Sequence, residues 1–126
     1  MKSTNMKNIV LWTLQIITAL ALVVLGASKI AAHPFMVEAF ARIGFGEWFR
    51  YVIGTAEIAG ALALLNERYA AEAAMLLTYL MLGALIAQLG VIGGDPLAVL
   101  LILSATFVIA LGRIRQSRYL AGTLIY

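Results

Sequence analysis

The chain has 126 residues, of which 63% are hydrophobic and only 12% are charged, and its formal net charge is +3. Together with a mean hydropathy of +0.99, this composition excludes an ordinary soluble domain and predicts an all-α integral membrane protein, with residues 1–126 forming a single membrane domain. The few basic residues form no stripe, so we expect no nucleic-acid partner. The chain has no cysteine, which excludes thiol redox chemistry and cysteine-ligated metal centres.

The first apolar segment covers about residues 9–31 and is long enough for a helix that crosses a bilayer, which needs roughly 20 residues. A secretory signal peptide is the alternative interpretation, because Lys2 and Lys7 precede this segment. It is the weaker one, since the apolar core of a signal peptide is normally about 7–15 residues and further apolar segments follow. Pro34 is expected to end the helix.

The segment that follows the first span, residues 36–49, carries three charges and is not expected to cross a membrane. Its apolar residues suit one face of a short helix: Met36, Val37, Phe40, Ile43 and Phe45. We therefore predict a short interfacial amphipathic helix between the first two spans.

Three more apolar segments follow, over about residues 48–66, 72–93 and 96–113. The first of them has Glu57 near its centre, and the second has no charge after Glu72. A Gly-Gly-Asp-Pro turn at residues 93–96 separates the last two. With the first span, these segments predict a four-transmembrane-helix bundle in a lipid bilayer.

Lysine and arginine are distributed unequally between the two sides that these spans define. One side collects six of them, namely Lys2, Lys7, Arg68, Arg113, Arg115 and Arg118, whereas the other has Lys29, Arg42 and Arg50. Cytoplasmic loops of membrane proteins are enriched in lysine and arginine. We therefore expect both termini on the cytoplasmic side of a bacterial inner (cytoplasmic) membrane.

Glu57 is the main candidate for a functional residue, because an ionisable group at membrane depth costs several kcal/mol (roughly 2.5–3.5 at a helix centre) and usually has a role there. Lys29 is its candidate partner. It shares a stripe of polar and small residues with Gln15 and Gly26 on the first span, and Gly54 lies on the same face of the second span as Glu57. Such small-residue faces let membrane helices approach closely, so we expect these two faces to meet.

Gln88 and Ser104 complete the predicted site. With a rise of ~1.5 Å per residue, they and the Lys29 and Glu57 positions fall at roughly 6–13 Å from the outer ends of their helices. We predict that Lys29, Glu57, Gln88 and Ser104 bind a ligand, and that Glu57 and Lys29 are the candidate catalytic residues. No metal site is expected, because the chain has one histidine and its acidic residues are scattered.

Three plainer interpretations stay open at this point. The lysine could extend its ammonium group to the outer interface and contribute only orientation. The contact between Lys29 and Glu57 could be structural, fixing the register of two helices without chemistry. Gln88 and Ser104 could form interhelical hydrogen bonds without touching a ligand.

Four segments resemble the DoxX and DoxX-like family of small membrane proteins. They are residues 26–29 (Gly-Ala-Ser-Lys), residues 40–44 before Trp48, residues 54–65 with Glu57, and residues 84–89 with Gln88. Many members of that family carry a histidine where this chain has Gln88, and glutamine does not relay protons near pH 7. The resemblance implies a four-helix membrane fold and an association with redox systems, including the membrane subunit of thiosulfate–quinone oxidoreduction and complexes with sulfur and superoxide enzymes.

The resemblance favours a small membrane subunit or accessory of a quinone-linked redox system, which binds a lipophilic small molecule at the Lys29, Glu57 and Gln88 cluster. No intrinsic cofactor is expected, and a quinone is the candidate ligand. A redox partner protein and a homo-oligomer are the candidate protein partners. The alternative is an intramembrane acid–base enzyme (an isomerase, hydrolase or cyclase) that uses Glu57 on a lipophilic substrate. A small-solute transporter is the second alternative.

Overall fold

The computed structural model describes the backbone of residues 2–125 and the side chains of residues 6–114. Three residues used in the topology prediction, Lys2, Arg115 and Arg118, have side chains outside this described part. The described backbone is helical and contains no strand. Its helices are α1 (Lys2–Ile30), α2 (Pro34–Ile43), α3 (Glu47–Leu64), α4 (Ala70–Ala87), which continues into a π-helical turn (Gln88–Ile92), and α5 (Leu97–Ile125).

The short helix α2 begins at a start signal in its sequence and ends at a stop signal. Pro34 occupies the first turn, where its missing N–H is not needed, and the His33 ring accepts a hydrogen bond from the Phe35 N–H at 3.3 Å. At the other end Gly44 has a φ of +85°, the left-handed conformation that commonly ends a helix. The predicted helix between the first two long helices is therefore present, but it covers Pro34–Ile43 instead of residues 36–49, because Gly44 ends it early.

The four longer helices pack in a cycle, with α1 against α3 and α5, and α4 against α3 and α5. Each helix contributes a fully buried aliphatic residue to the shared core: Leu22 from α1, Leu64 from α3, Leu77 from α4 and Ile109 from α5. The core is therefore common to these helices, and it lies beside the polar groups of α1 and α3 described below.

The outer surface of the helices is also apolar. Ile17, Leu20 and Val24 on α1 and Ile86 on α4 are each about half exposed or more. Exposing an apolar surface of this size to water is energetically unfavourable, whereas contact with equally apolar lipid tails is not. The exposed apolar residues and the long apolar helices together indicate a lipid bilayer as the environment of the protein.

Within the described residues, three helices are long and apolar enough to cross a membrane by length and composition, over Met6–Ile30, Ala70–Ile92 and Leu97–Ile114. They correspond to three of the four predicted spans. The remaining one, over residues 48–66, corresponds to α3, which has only 18 residues and contains Glu47, Arg50 and Glu57. At ~1.5 Å per residue α3 is about 27 Å long, slightly less than the ~30 Å hydrocarbon core. The predicted count of four spans is therefore not confirmed.

Candidate functional site

The Lys29 and Glu57 side chains form a buried ion pair. The Lys29 Nζ lies 2.9 Å from Glu57 Oε1 and donates a hydrogen bond to Oε2 at 3.1 Å. Lys29 is 9% exposed and Glu57 only 2%. The predicted contact is thus present in the structure, and the lysine ammonium points to the carboxylate of α3 instead of the outer surface. Each charge neutralises the other where water is scarce.

Two glycines bring α1 and α3 close enough for this contact. A Cβ atom added to Gly26 would lie 2.7 Å from the Gly54 carbonyl oxygen, and one added to Gly54 would lie 2.9 Å from the Gly26 carbonyl oxygen. Both distances are too short for any side chain, so the two backbones touch directly. As the sequence predicts, the small-residue faces of the two helices meet, and the Lys29 and Glu57 side chains lie beside that contact.

Arg50 is a third charged residue at this end of the protein. Its Nη1 donates to the Lys29 carbonyl oxygen at 3.2 Å, its guanidinium lies 4.6 Å from the centre of the Tyr51 ring, and the residue is 2% exposed. From the sequence, Arg50 is counted as a topology charge near the surface and is not among the predicted site residues. The signal for a buried arginine was its spacing, since Arg50, Gly54 and Glu57 recur at intervals of four and three on one face of α3.

The structure does not bring Gln88 and Ser104 into the same hydrogen-bonded group. The Gln88 side-chain amide donates to the Gly93 carbonyl oxygen, within the turn that follows α4. Ser104 is exposed on α5, and its hydroxyl donates to the Leu100 carbonyl oxygen of its own helix at 2.8 Å. Among the hydrogen bonds of the described residues, neither side chain reaches Lys29 or Glu57. Their predicted role in ligand binding stays a prediction.

Local hydrogen bonding explains both placements. Residue 88 opens a π-helical turn that ends at a glycine, so its flexible side chain finds a nearby backbone carbonyl to pair with. A serine in the middle of a helix commonly donates to the carbonyl oxygen four residues earlier. Neither group then needs an interhelical partner.

Arg42 links helix α2 to the π-helical turn at this end of the protein. The Arg42 Nη1 donates to the Ile92 carbonyl oxygen of the π-helical turn at 2.8 Å, and Nη2 pairs with Glu38 at 2.9 Å. Since α2 also packs against α3 and α1, it lies over the end of the protein that contains the Lys29–Glu57 pair.

A second polar cluster joins α1, α3 and α5 at the opposite end of α1. The Gln15 side chain, fully buried, donates to the Leu64 carbonyl oxygen at 2.7 Å and accepts from Arg113 Nε at 2.6 Å. Arg113 Nη1 also donates to Asn8 at 3.0 Å, and the guanidinium lies 5.4 Å from the centre of the Trp12 ring. The sequence predicts Gln15 on the interior stripe of α1, whereas it identifies Arg113 only as a topology charge at the end of the last span.

Among the described residues, no three histidine, cysteine or acidic side chains lie close enough together to hold a metal ion. The polar groups of the Lys29–Glu57 pair are an ammonium group and a carboxylate. At the Lys29–Glu57 pair, this chemistry suits hydrogen bonding to a polar headgroup and proton exchange by the carboxylate.

The model of the DoxX-like family matches residues 13–112 of the chain. The matched range contains Lys29, Glu57 and Arg50 together with the contacting glycines. Among curated proteins and among solved structures, none matches the chain significantly.

Proposed function

This chain belongs to the DoxX-like family, and on that premise we propose that it binds a lipophilic small molecule with a polar headgroup at the Lys29–Glu57 pair, as an accessory subunit of a quinone-linked redox system. The observation that carries the proposal is the buried pair itself. Ionisable groups kept at membrane depth are expensive, and in membrane proteins they usually mark sites of function.

The lysine has hydrogen-bonding capacity beyond its contact with Glu57. An ammonium group has three N–H donors, and the carboxylate of Glu57 offers two oxygens to them. A third donor is available for a neutral acceptor such as the carbonyl oxygen of a quinone. The carboxylate in turn accepts from a hydroxyl, as a quinol would present. The pair therefore offers groups for both redox states of a quinone headgroup, without supplying electrons itself.

We also propose that α3 is the fourth span and that both termini are cytoplasmic. Arg50 of α3 contacts Lys29 of α1 at one end, and Leu64 contacts Gln15 at the other. From Arg50 to Leu64 on α3, and from Gln15 to Lys29 on α1, the residue numbers differ by 14, which is about 21 Å at ~1.5 Å per residue. In this proposal α3 therefore runs antiparallel to α1 over most of the thickness of a bilayer. The ion pair with Lys29 lowers the cost of Glu57 at that depth.

Cysteine labelling tests the span count, since the parent chain has no cysteine of its own. With four spans, a cysteine added after Tyr126 is expected to react only from the cytoplasmic side, and a cysteine in place of Asp95, in the turn before α5, only from the outside. An odd number of spans puts the two termini on opposite sides. Labelling of cysteines at the N-terminus and the C-terminus from opposite faces would therefore reject the proposed topology.

Glu57→Gln tests the proposed binding site, because it keeps the size of the side chain but removes its charge. We expect the binding free energy for a short-chain ubiquinone, measured in detergent by quenching of tryptophan fluorescence, to weaken by about 1.5–3 kcal/mol, the range for a hydrogen bond to a charged group. Glu72→Gln is the matched control, since Glu72 is exposed on α4. It should leave affinity unchanged.

Two other results would change the conclusion. Parent-like ubiquinone binding by the Glu57→Gln variant would reject the pair as the binding site. Retained binding of a lipophilic substrate together with a turnover rate lower by about 10²–10⁴ would instead support the acid–base enzyme, because that is the usual contribution of a general acid or base.

A further inference from the structure

A cleft of about 340 Å³ opens between α2 and the first turn of α3. Its walls are apolar on the α2 side, where Val37 and Phe40 line it, and charged on the α3 side, where Glu47 and Arg50 line it. The volume is at the lower end of the range for small-molecule sites, roughly 300–1,000 Å³. The cleft does not include the Lys29–Glu57 pair, so it is a different surface from the site proposed above.

The guanidinium of Arg50 is a buried charge at this cleft. Two ion pairs occur among the described residues, and neither includes Arg50. Its hydrogen bond to the Lys29 carbonyl oxygen uses one of the five N–H donors of an arginine. Lys29 is already neutralised by Glu57, so the three buried charges sum to one excess positive charge. Buried charges are normally paired, which indicates that an anion from outside the chain completes this group.

The rim of the cleft has the opposite charge. Glu47, three residues before Arg50, is exposed at the start of α3 and lines the same cleft. A ligand that fits both ends therefore carries a negative group for the buried arginine and a positive group for the exposed carboxylate. Phosphate suits the planar fork of a guanidinium group, and a primary ammonium group suits a carboxylate.

The aromatic residues around the cleft place it at the surface of the membrane. Phe45 and Trp48 are each 62% exposed, just before and within the first turn of α3. Exposed tryptophan side chains at the end of a membrane helix are enriched at the level of the lipid headgroups. Arg50 is two residues beyond Trp48, about 3 Å along the helix at ~1.5 Å per residue, within easy reach of the phosphate layer.

We propose that this cleft binds the headgroup of phosphatidylethanolamine, with the lipid phosphate on Arg50, the ethanolamine ammonium on Glu47 and an acyl chain along Val37 and Phe40. Phosphatidylglycerol offers only the phosphate, so it lacks the contact with Glu47. Phosphatidylcholine carries a bulky quaternary ammonium group without N–H donors, so it makes no hydrogen bond there.

Lipid titration of the detergent-purified protein tests this assignment, with thermal stabilisation and lipid adducts in native mass spectra as the readouts. In the parent we expect phosphatidylethanolamine to bind more tightly than phosphatidylglycerol or phosphatidylcholine. Arg50→Gln should weaken binding of both phosphatidylethanolamine and phosphatidylglycerol by about tenfold or more, the loss expected for a charged hydrogen bond. Glu47→Gln should weaken binding of phosphatidylethanolamine but not of phosphatidylglycerol.

Two further variants separate binding from folding. Ala41→Phe changes an exposed residue of α2 that lines the cleft, and it should weaken phosphatidylethanolamine binding while Arg50 is intact. Arg68→Gln removes an exposed positive charge elsewhere and should bind every lipid as the parent does. Equal binding of the three lipids by the parent would overturn the proposal, as would parent-like phosphatidylethanolamine binding by Ala41→Phe and Glu47→Gln. Displacement of the lipid by equimolar inorganic phosphate or free phosphoethanolamine would overturn the lipid assignment in favour of a soluble ligand.

Discussion

Replacing Lys29 by methionine is expected to destabilise the protein by about 3–5 kcal/mol, because it leaves the buried Glu57 carboxylate without its counter-charge. Glu57→Gln removes the other partner and is expected to be destabilising for the same reason, since Lys29 is itself only 9% exposed. The double variant removes both charges, so its loss should be clearly smaller than the sum of the two single losses. Thermal unfolding in detergent measures all three variants.

Glu38→Gln is the control for this comparison. Glu38 pairs with Arg42 at the same distance of 2.9 Å as in the buried pair, but its side chain is 68% exposed. Exposed ion pairs contribute about 0–1 kcal/mol, so this variant should unfold close to the parent. Additive losses for the Lys29 and Glu57 variants would show that the two side chains do not depend on each other in solution.

Gln15→Leu is expected to destabilise the protein by about 2–5 kcal/mol, because one buried amide serves two partners on different helices. The substitution removes the donor to the Leu64 carbonyl oxygen and the acceptor of the Arg113 Nε–H together. Leucine is similar in size to glutamine, so the loss reports the hydrogen bonds more than the packing.

Gln88→Leu is the matched control, since it makes the same chemical change at a half-buried position in a turn. It removes one hydrogen bond within the turn that follows α4, so the loss of stability should stay at about 1 kcal/mol or less. Thermal unfolding of the two variants in the same detergent compares them. Equal losses would mean that Gln15 does not join α1, α3 and α5 as the structure shows.

The first half of the candidate site could be predicted from spacing alone. Gly54 and Glu57 repeat at helical intervals, as do Gly26 and Lys29, so the sequence shows which face of each helix is polar and small. The two faces lie at similar depth, and each needs a partner that shields its charged residue from lipid. We therefore expect the faces of α1 and α3 to pack against each other. The structure adds the depth of burial and the position of Arg50 beside the pair.

The positions of Gln88 and Ser104 relative to the Lys29–Glu57 pair could not be predicted in this way. Helices α4 and α5 are apolar around most of their circumference, so periodicity does not indicate which face is inside. A single polar residue such as Gln88 or Ser104 then has no stripe to assign it to a face, and each pairs with a nearby backbone carbonyl. The contact of Arg113 with Gln15 could not be predicted for a related reason, because the long side chain reaches back to α1 from the end of the last predicted span.

The number of membrane spans is hard to predict from the sequence for a different reason. A charged residue counts against a span when each helix is judged alone, and α3 contains three of them. Two of these three, Arg50 and Glu57, are 2% exposed and contact α1. The energetic cost of a charge in a membrane depends on its partner, and the partners of Arg50 and Glu57 lie on α1.

The contact between Gly26 and Gly54 has a consequence for the charges beside it. Since the two backbones already touch, the separation of the α1 and α3 axes is at its minimum, and it can only grow. Lys29 and Glu57 extend from these same two helices, so their side chains would have to span any wider separation. A single methyl group added at either glycine would push the helices apart and so load the ion pair from the backbone, without touching either charged atom.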